Sequence, residues 1–168
     1  GGEGGAIKGI LSLLVGGDRE DYEACLPIFK AVGTNINYFG KAGNGQHAKM
    51  ANQILVAGAL GGVCEALAYG KAEGLDLQAL FDAVSTGAGG SAQLSALGPK
   101  ILAGDFRPGF YMKHIIKDLR LATEEAERKG LTLDVVPKVL ADFRELEEKG
   151  LGEEGSQALI KHYVHEKN

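Results

Sequence analysis

The 168-residue chain carries 18 Lys or Arg and 22 Asp or Glu, a formal net charge of −4 with His neutral. Its length suits one well-packed domain with a small appendage. The modest charge argues against nucleic acid or an anionic membrane surface as a partner, and neither a secretory signal nor an uninterrupted apolar span of about 18 residues is evident. Cys25 and Cys64 lie in apolar helical patterns and predict buried free thiols of a reducing compartment. We therefore expect a cytoplasmic protein.

About the first 40 residues predict a β-α-β unit. Gly1 to Gly9 is rich enough in glycine for a loop that brings backbone N–H groups close to a ligand, and the apolar run from Ile10 to Val15 predicts a buried strand. Asp18 is placed to cap a helix that ends at Gly33, and a second strand spans Asn35 to Phe39. Two parallel strands are not stable alone, so this unit requires a larger sheet.

The apolar periodicity changes to that of helices after residue 42. A long helix is predicted from about Gly45 to Glu73, and its small-residue middle, Ala57 to Gly62, indicates a deeply buried helix against which another backbone packs. Further helices follow over these ranges: Leu77–Ser85 capped by Asp76, Ala92–Leu97 capped by Ser91 and broken by Gly98-Pro99 before a short continuation over Ile101–Ala103, Phe110–Lys129, Val135–Lys149 and Ser156–His165. We therefore predict a mainly α fold, with an all-α domain of roughly six or seven helices in residues 43–168 after a β-α-β unit in residues 1–42.

The segment Gly43-Asn-Gly-Gln-His-Ala-Lys-Met-Ala-Asn-Gln53 carries the candidate chemistry. Its glycines form a flexible entry to the long helix, and Lys49, Asn52 and Gln53 then lie at positions i, i+3 and i+4 on one helical face. Because the helix soon becomes apolar, we expect a partly buried Lys49 stem and an ammonium that can exchange a proton or polarise an oxygen. The two carboxamides could orient a small polar ligand. On spacing alone, a lysine that merely reaches solvent stays an open alternative.

The same segment fits two nucleotide-binding patterns poorly. Gly40 to Gly45 has the outer spacing of a phosphate-binding loop, but Gln46 and His47 replace the Lys and the Ser or Thr which that loop requires. Gly43-x-Gly45-x-x-Ala48 fits a loose dinucleotide fingerprint, with Glu65 about 20 residues further on. A second strand should then follow soon, whereas the helical pattern continues. We reject the first interpretation and disfavour the second.

No nucleophilic triad and no metal site are predicted. The histidines show no ligand spacing with a cluster of Cys, Asp or Glu, and only His47, near the start of the long helix, is a candidate for function. Lys113, Lys117 and Arg120 form a basic helical face of the kind that is usually solvated surface.

Separated motifs spread over nearly the whole chain agree in order and spacing with one family: Gly1-Gly2 with Gly5-Ala6 and Gly9, Val15-Gly-Gly-Asp18, Gly43-x-Gly45-x-x-x-Lys49-x-x-Asn52, and Phe110 with Lys117-Asp118-Leu-x-Leu-Ala122. Together they resemble the β-hydroxyacid dehydrogenases, which include 3-hydroxyisobutyrate dehydrogenase, tartronate semialdehyde reductase and glyoxylate/succinic semialdehyde reductases. The fold implied by this resemblance is a 6-phosphogluconate dehydrogenase C-terminal-like helical domain, preceded by a β-α-β remnant of a Rossmann-type sheet.

The resemblance also implies a reaction, a hydride transfer between NAD or NADP and the carbinol carbon of a short 3-hydroxy acid, or the reverse on its semialdehyde. Lys49 would accept the hydroxyl proton in oxidation and donate it in reduction, with Asn52 and Gln53 contacting the substrate. The backbones of Gly1 and Gly2 would bind the substrate carboxylate. Lys117 would lie by the nicotinamide, with Phe110 lining the cleft nearby.

Two features depart from the family pattern. The N-terminal dinucleotide-binding domain would precede Gly1, and the serine of the family's carboxylate loop is absent. We therefore expect the missing domain to provide most contacts to NAD or NADP, and the isolated chain to bind dinucleotide weakly or not at all and to be inactive. A homodimer or homotetramer is expected. The alternative is a non-catalytic family member that acts as a dinucleotide-linked binding or dimerisation module, although Lys49 and Asn52 speak against lost activity.

Overall fold

The computed structural model describes residues 2–164. It divides into two compact units, one up to Asn52 and one from Gln53 onward. The elements in chain order are α1 (Gly2–Ile7), β1 (Leu11–Val15), α2 (Arg19–Val32), β2 (Gly33–Tyr38), α3 (Asn44–Ala72), α4 (Leu77–Ser85), α5 (Ala92–Leu102), α6 (Met112–Arg128), α7 (Val135–Leu146), a π-helical turn (Glu147–Leu151), a 3₁₀ turn (Ser156–Leu159) and α8 (Ile160–Tyr163). The predicted mainly α fold with a leading β-α-β unit is confirmed. The domain division predicted between residues 42 and 43 stays a prediction.

The first unit contains a two-stranded parallel sheet, β1 beside β2, joined by α2. Ser12 pairs with Asn35 and Val15 with Tyr38, as a parallel β-α-β crossover requires. No side chain of α2 is buried, and Ile28 is 65% exposed. Asp18 does take the N-cap position of α2, but its side chain makes no capping hydrogen bond.

The predicted loop from Gly1 to Gly9 is wrong for the described residues, because Gly2 to Ile7 form the short helix α1. Its backbone groups bond locally: Lys8 N donates to Gly4 O at 3.3 Å, and Ile10 N donates to Gly5 O at 3.0 Å. Glycine has a low helix propensity, but it does not prevent a helix. In α1 the backbone hydrogen bonds outweigh the low helix propensity of the glycines.

Helix α3 enters the core of the second unit along one face only. Ala57, Leu60 and Cys64 are fully buried on that face, whereas Leu55 and Tyr69, on the other side, are 73% and 67% exposed. The prediction of a deeply buried helix is therefore wrong for half of its circumference. Length and a mean hydropathy of 1.3 would also allow α3 to cross a membrane, but a core helix has the same composition, so this is weak evidence.

The small-residue segment of α3 allows close packing, as predicted, at Gly61. A Cβ on Gly61 would lie 3.0 Å from Val139 Cγ2 of α7, so the neighbour is a side chain rather than the predicted backbone. Helices α3, α6 and α7 and the 3₁₀ turn provide most of the buried apolar side chains of this unit, which include Leu60, Leu67, Ile115, Leu119, Val136, Val139, Phe143, Leu146 and Leu159.

Tertiary contacts moved two predicted boundaries. Helix α5 is not broken at Gly98-Pro99 but continues without interruption to Leu102. Gly98 allows close packing against Phe81, since a Cβ on it would be only 2.8 Å from Phe81 Cε2. Helix α6 begins at Met112 rather than Phe110. Phe110 and Met112 instead form backbone hydrogen bonds with the segment around the start of the 3₁₀ turn. Ser156 N donates to Phe110 O at 2.9 Å, and Met112 N donates to Glu154 O at 2.8 Å.

The predicted C-terminal helix is shorter than expected. Ser156 to Leu159 form a 3₁₀ turn, and the α-helix proper covers Ile160 to Tyr163. The apolar spacing of this segment predicts Leu159, Ile160 and Tyr163 as inward residues. Leu159 and Ile160 are buried and Tyr163 is partly buried, whereas His165 lies outside the described residues.

Candidate functional site

The start of α3, which carries Lys49, is fixed against the end of β1. A Cβ on Gly16 would lie 2.7 Å from Lys41 O and 2.8 Å from Gly45 N, and a Cβ on Gly45 would overlap the carbonyl oxygen of Leu14. Only glycine permits so close an approach of two backbones. Of the glycines predicted to form a flexible entry, Gly45 therefore lies in a tight β1–α3 junction with Gly16, whereas Gly43 has no atom within 4 Å of the Cβ it lacks.

Lys49 and Asn52 lie beyond this junction in the first two to three turns of α3. Both residues are exposed, and the expected partial burial of the Lys49 stem stays a prediction. The buried face of α3 in the second unit begins with Gln53, one residue after Asn52. Their predicted roles in catalysis and substrate binding stay predictions.

Gln53 has a different environment from the other two residues of the predicted ligand-binding face. It is 7% exposed, and its Nε2 donates to Asp118 Oδ2 of α6 at 2.9 Å. A buried amide that donates to a buried carboxylate joins α3 to α6. Its predicted contact with a substrate stays untested, but its side-chain N–H group already has a protein acceptor.

Lys117 lies in the same cluster. Its Nζ is 2.9 Å from Asp118 Oδ1, with 54% of the Lys117 side chain exposed and 2% of the Asp118 side chain. The neighbouring cations of its helical face pair elsewhere, Lys113 with Glu153 and Arg120 with Glu124. Lys117 is thus held by a buried carboxylate and still reaches solvent, as a residue that binds a ligand must.

Phe110, the other predicted cofactor contact, is partly buried and packs on the core of the second unit. Its ring centroid is 6.1 Å from that of His114, and its carbonyl accepts from Ser156 N. This extended segment, rather than a first helical turn, positions the ring.

The predicted carboxylate-binding glycines are described only in part. Gly1 lies outside the described residues, and Gly2 is the exposed first residue of α1, with a φ of 71°. The expected loop of backbone donors is replaced by a helix of six residues.

Asp118 is the residue to which the sequence analysis assigned no role. It is 1% exposed and lies among the buried Ile115, Leu119 and Ala122 of α6. The signal was available in the sequence: an acidic residue at i+3 from Ile115 and i−4 from Ala122 falls on the apolar face of that helix. A charge at such a position must be paired.

A second buried carboxylate, Asp142 of α7, anchors the C-terminal helix. It forms an ion pair with Lys138, accepts from the Tyr163 hydroxyl at 2.9 Å and lies 3.2 Å from His162 Nε2. Burial, and then the hydrogen bond to Asp142, raise the pKa of Tyr163. Within residues 2–164 no group of His, Cys, Asp and Glu is arranged to hold a metal ion.

Both parts of the chain match known protein families. The family described as NAD-binding of NADP-dependent 3-hydroxyisobutyrate dehydrogenase matches residues 43–163, and the NAD binding domain of 6-phosphogluconate dehydrogenase matches residues 1–40. An uncharacterized oxidoreductase of Bacillus subtilis, YkwC, is 44% identical over 98% of this chain and 57% of its own length. The 2-hydroxy-3-oxopropionate reductase of Escherichia coli is 39% identical over 79% of this chain and 46% of its own length.

Solved structures similar to this chain belong to the same family as the sequence relatives. The Mycobacterium tuberculosis 3-hydroxyisobutyrate dehydrogenase, solved with L-serine, has a TM-score of 0.90 and 26% identity, and covers 98% of this chain and 59% of its own. The chain belongs to the β-hydroxyacid dehydrogenase family and corresponds to the C-terminal part of its members. It spans about half the length of the curated relatives that it matches. The family resemblance drawn from the sequence motifs is confirmed.

Proposed function

We propose that this chain is the C-terminal part of an NAD- or NADP-dependent oxidoreductase that interconverts a short 3-hydroxy acid and its semialdehyde. The observation that carries the proposal is the family match over residues 43–163, which includes the Lys49 and Asn52 positions of α3. The names of the relatives support the substrate class: one reduces 2-hydroxy-3-oxopropionate, and another was solved with L-serine. Both are short three-carbon compounds.

The residues of the second unit fit a dinucleotide. Lys117 has a half-exposed side chain whose ammonium lies 2.9 Å from Asp118 Oδ1, and such a cation can bind an amide or phosphate oxygen. Phe110 adds a partly buried aromatic ring. When bound, the dinucleotide supplies or accepts the hydride.

Lys49 is the proposed general acid/base. It would take the hydroxyl proton of the hydroxy acid during oxidation and return it to the carbonyl oxygen during reduction. The Asn52 carboxamide, one helical turn further on, would orient the same oxygen. Exposure of Lys49 in this chain is compatible with the role only if the substrate and the rest of the enzyme cover it.

The test is nicotinamide absorbance with the protein expressed from the complete reading frame, supplied with a panel of 3-hydroxy acids and semialdehydes. Lys49→Ala is expected to lower kcat by about 10²-fold or more, the usual effect of a lost proton-transfer group. Lys71→Ala is the matched control, because Lys71 lies in the last turn of the same helix. Equal activity of Lys49→Ala and Lys71→Ala would contradict the proposal.

We also propose that the isolated chain is inactive, that the protein is a homodimer or homotetramer and that it is cytoplasmic. A calorimetric titration in which the isolated chain binds NADPH at micromolar concentration would contradict the first statement, and a monomer in sedimentation equilibrium would contradict the second. The second candidate function, a non-catalytic binding or dimerisation module, would gain support if the complete protein bound dinucleotide tightly without turnover.

A further inference from the structure

The segment that leads to Phe110 is bonded to the start of the 3₁₀ turn near the C-terminus. Gly155 N donates to Phe106 O at 2.8 Å, and Ser156 N donates to Phe110 O at 2.9 Å. These two backbone bonds come from consecutive residues and reach both ends of the 106–110 segment. The conformation of this segment therefore depends on residues that lie far from it in the sequence.

The next residue of the 3₁₀ turn, Gln157, contacts the same segment through its side chain. Its Nε2 donates to Asp105 O at 2.9 Å and to Arg107 O at 3.1 Å. Both N–H groups of the carboxamide thus have a backbone acceptor, as a side chain that is only 1% exposed requires. One nitrogen atom fixes the directions of two carbonyl groups that lie two residues apart.

The place of the Gln157 carboxamide depends on a glycine two residues before it. A Cβ on Gly155 would overlap Gln157 Oε1. The backbone of Gly155 has a φ of −68° and a ψ of 153°, angles that any residue adopts. Glycine is therefore needed at this position for space rather than for backbone freedom, and the amide of Gln157 fills that space.

The 105–107 backbone determines how the chain reaches Phe110. Pro108 follows Arg107 directly, and its ring fixes φ, so fewer rotations separate the bonded carbonyls from Phe110. The Phe110 ring packs on the core of the second unit, with its centroid 6.1 Å from that of His114. A shift of the 105–107 backbone would consequently move this ring.

We propose that Gln157 is a positioning residue, which orients Phe110 through the backbone of residues 105–107. The inference rests on the proposed function, in which Phe110 contributes to the dinucleotide site. It assigns Gln157 no contact with cofactor or substrate. It predicts that loss of the Gln157 amide weakens dinucleotide binding only by way of Phe110.

The first experiment measures binding of NADH and NADPH to the complete protein by calorimetry. Gln157→Met keeps the side-chain length and removes both N–H donors. It should weaken binding of the preferred dinucleotide by up to about tenfold, the size expected when one aromatic contact is lost. The KM for that dinucleotide should rise in step, whereas kcat at saturation should change little, because Phe110 transfers no proton.

Tyr163→Phe is the matched control. Tyr163 lies in α8, is partly buried, and donates a hydrogen bond to Asp142 Oδ2 at 2.9 Å, which joins α8 to α7. Both substitutions remove side-chain hydrogen bonds of the same C-terminal region, so both should lower the unfolding temperature. Only Gln157→Met should lower dinucleotide affinity, and equal affinity in the two variants would overturn the inference.

A double variant separates positioning from a general loss of structure. If Gln157 acts through Phe110, adding Gln157→Met to Phe110→Ala should cause no further loss of dinucleotide affinity. A further loss as large as that of Gln157→Met alone would overturn the inference, because Gln157 would then act independently of Phe110. Wild-type affinity in Phe110→Ala would overturn it as well.

Gly155→Ala tests the same connection if Gln157→Met does not fold. It retains the amide but forces it away from the position that it shares with the added Cβ. Dinucleotide binding should weaken in the same direction as in Gln157→Met. Wild-type affinity in folded Gly155→Ala would overturn the inference.

The outcomes separate the two proposals. Turnover that survives in Lys49→Ala contradicts the proposed function itself. Turnover that collapses in Lys49→Ala, together with wild-type dinucleotide affinity in Gln157→Met, leaves the function intact and overturns only the positioning role.

Discussion

Gly45 at the start of α3 and Leu14 near the end of β1 approach so closely that a Cβ on Gly45 would overlap the Leu14 carbonyl oxygen. This backbone contact fixes the point at which the helix of Lys49 leaves the sheet. Substitution of Gly45 therefore tests how much this contact contributes to the stability of the chain.

Gly45→Ala is expected to destabilise the chain by about 1–3 kcal/mol, the usual effect of overpacking. Gly62→Ala, in the middle of the same helix, is the control because nothing lies within 4 Å of the Cβ it would add. That substitution should instead stabilise by up to about 1 kcal/mol through helix propensity. Urea unfolding of both variants measures the difference in their stability. Equal urea midpoints would contradict the prediction, because they would mean that the β1–α3 junction accommodates the added Cβ.

Asp76 caps α4 through its side chain, as predicted. Its Oδ1 accepts from Gln78 N at 2.8 Å and from Ala79 N at 3.0 Å. Asp76→Ala should therefore lose about 1 kcal/mol of stability. Asp134 takes the N-cap position of α7 in the same unit without a capping bond from its side chain, so Asp134→Ala should lose less. Chemical denaturation that ranks the two variants in the opposite order would contradict this assignment.

The two cysteines should react at very different rates. Burial raises the pKa of Cys64 to about 12, so at pH 8 only about one thiol in 10⁴ would be the reactive thiolate. Cys25 is only partly buried. A thiol-reactive chromophore should therefore modify Cys25 of the native chain quickly. In the Cys25→Ser variant it should modify no cysteine quickly. Rapid modification of Cys64 in native Cys25→Ser would contradict its burial.

Tyr163 should make stability depend on pH in the alkaline range. Its pKa is raised in the folded state, chiefly by burial and then by its hydrogen bond to Asp142. The stability that this hydroxyl contributes is thus fully present below the unfolded pKa of about 10, and it is lost as pH rises from there toward the folded pKa. The difference in unfolding free energy between wild type and Tyr163→Phe should shrink between about pH 10 and 11. A constant difference over that range would contradict the shift.

The sequence predicted best those features that depend on neighbouring residues. The Asp76 and Ser91 caps are both confirmed, since each side chain accepts from a backbone N–H two or three residues ahead. The β-α-β order and the start and end of α3 followed from the period of the apolar residues and from glycine stops. Such signals lie within one or two helical turns, so they are visible in the chain itself.

The site was predicted less completely because its environment depends on distant residues. Spacing placed Lys49, Asn52 and Gln53 on one helical face, but it could not show that Gln53 is buried against Asp118, 65 positions away. Likewise, Phe110 was expected to begin a helix, and only its pairing with the segment around Ser156 made it extended.

The sequence by itself determined the helical class, the β-α-β unit, the helix caps and the family, since these follow from local periodicity, capping chemistry and motif spacing. Tertiary structure alone decided that Lys49 is exposed, that α5 continues through Pro99 and that Asp118 contacts both Gln53 and Lys117. The physical reason is that burial and buried charge pairing depend on which helices pack together, and residue order along one helix does not contain that information.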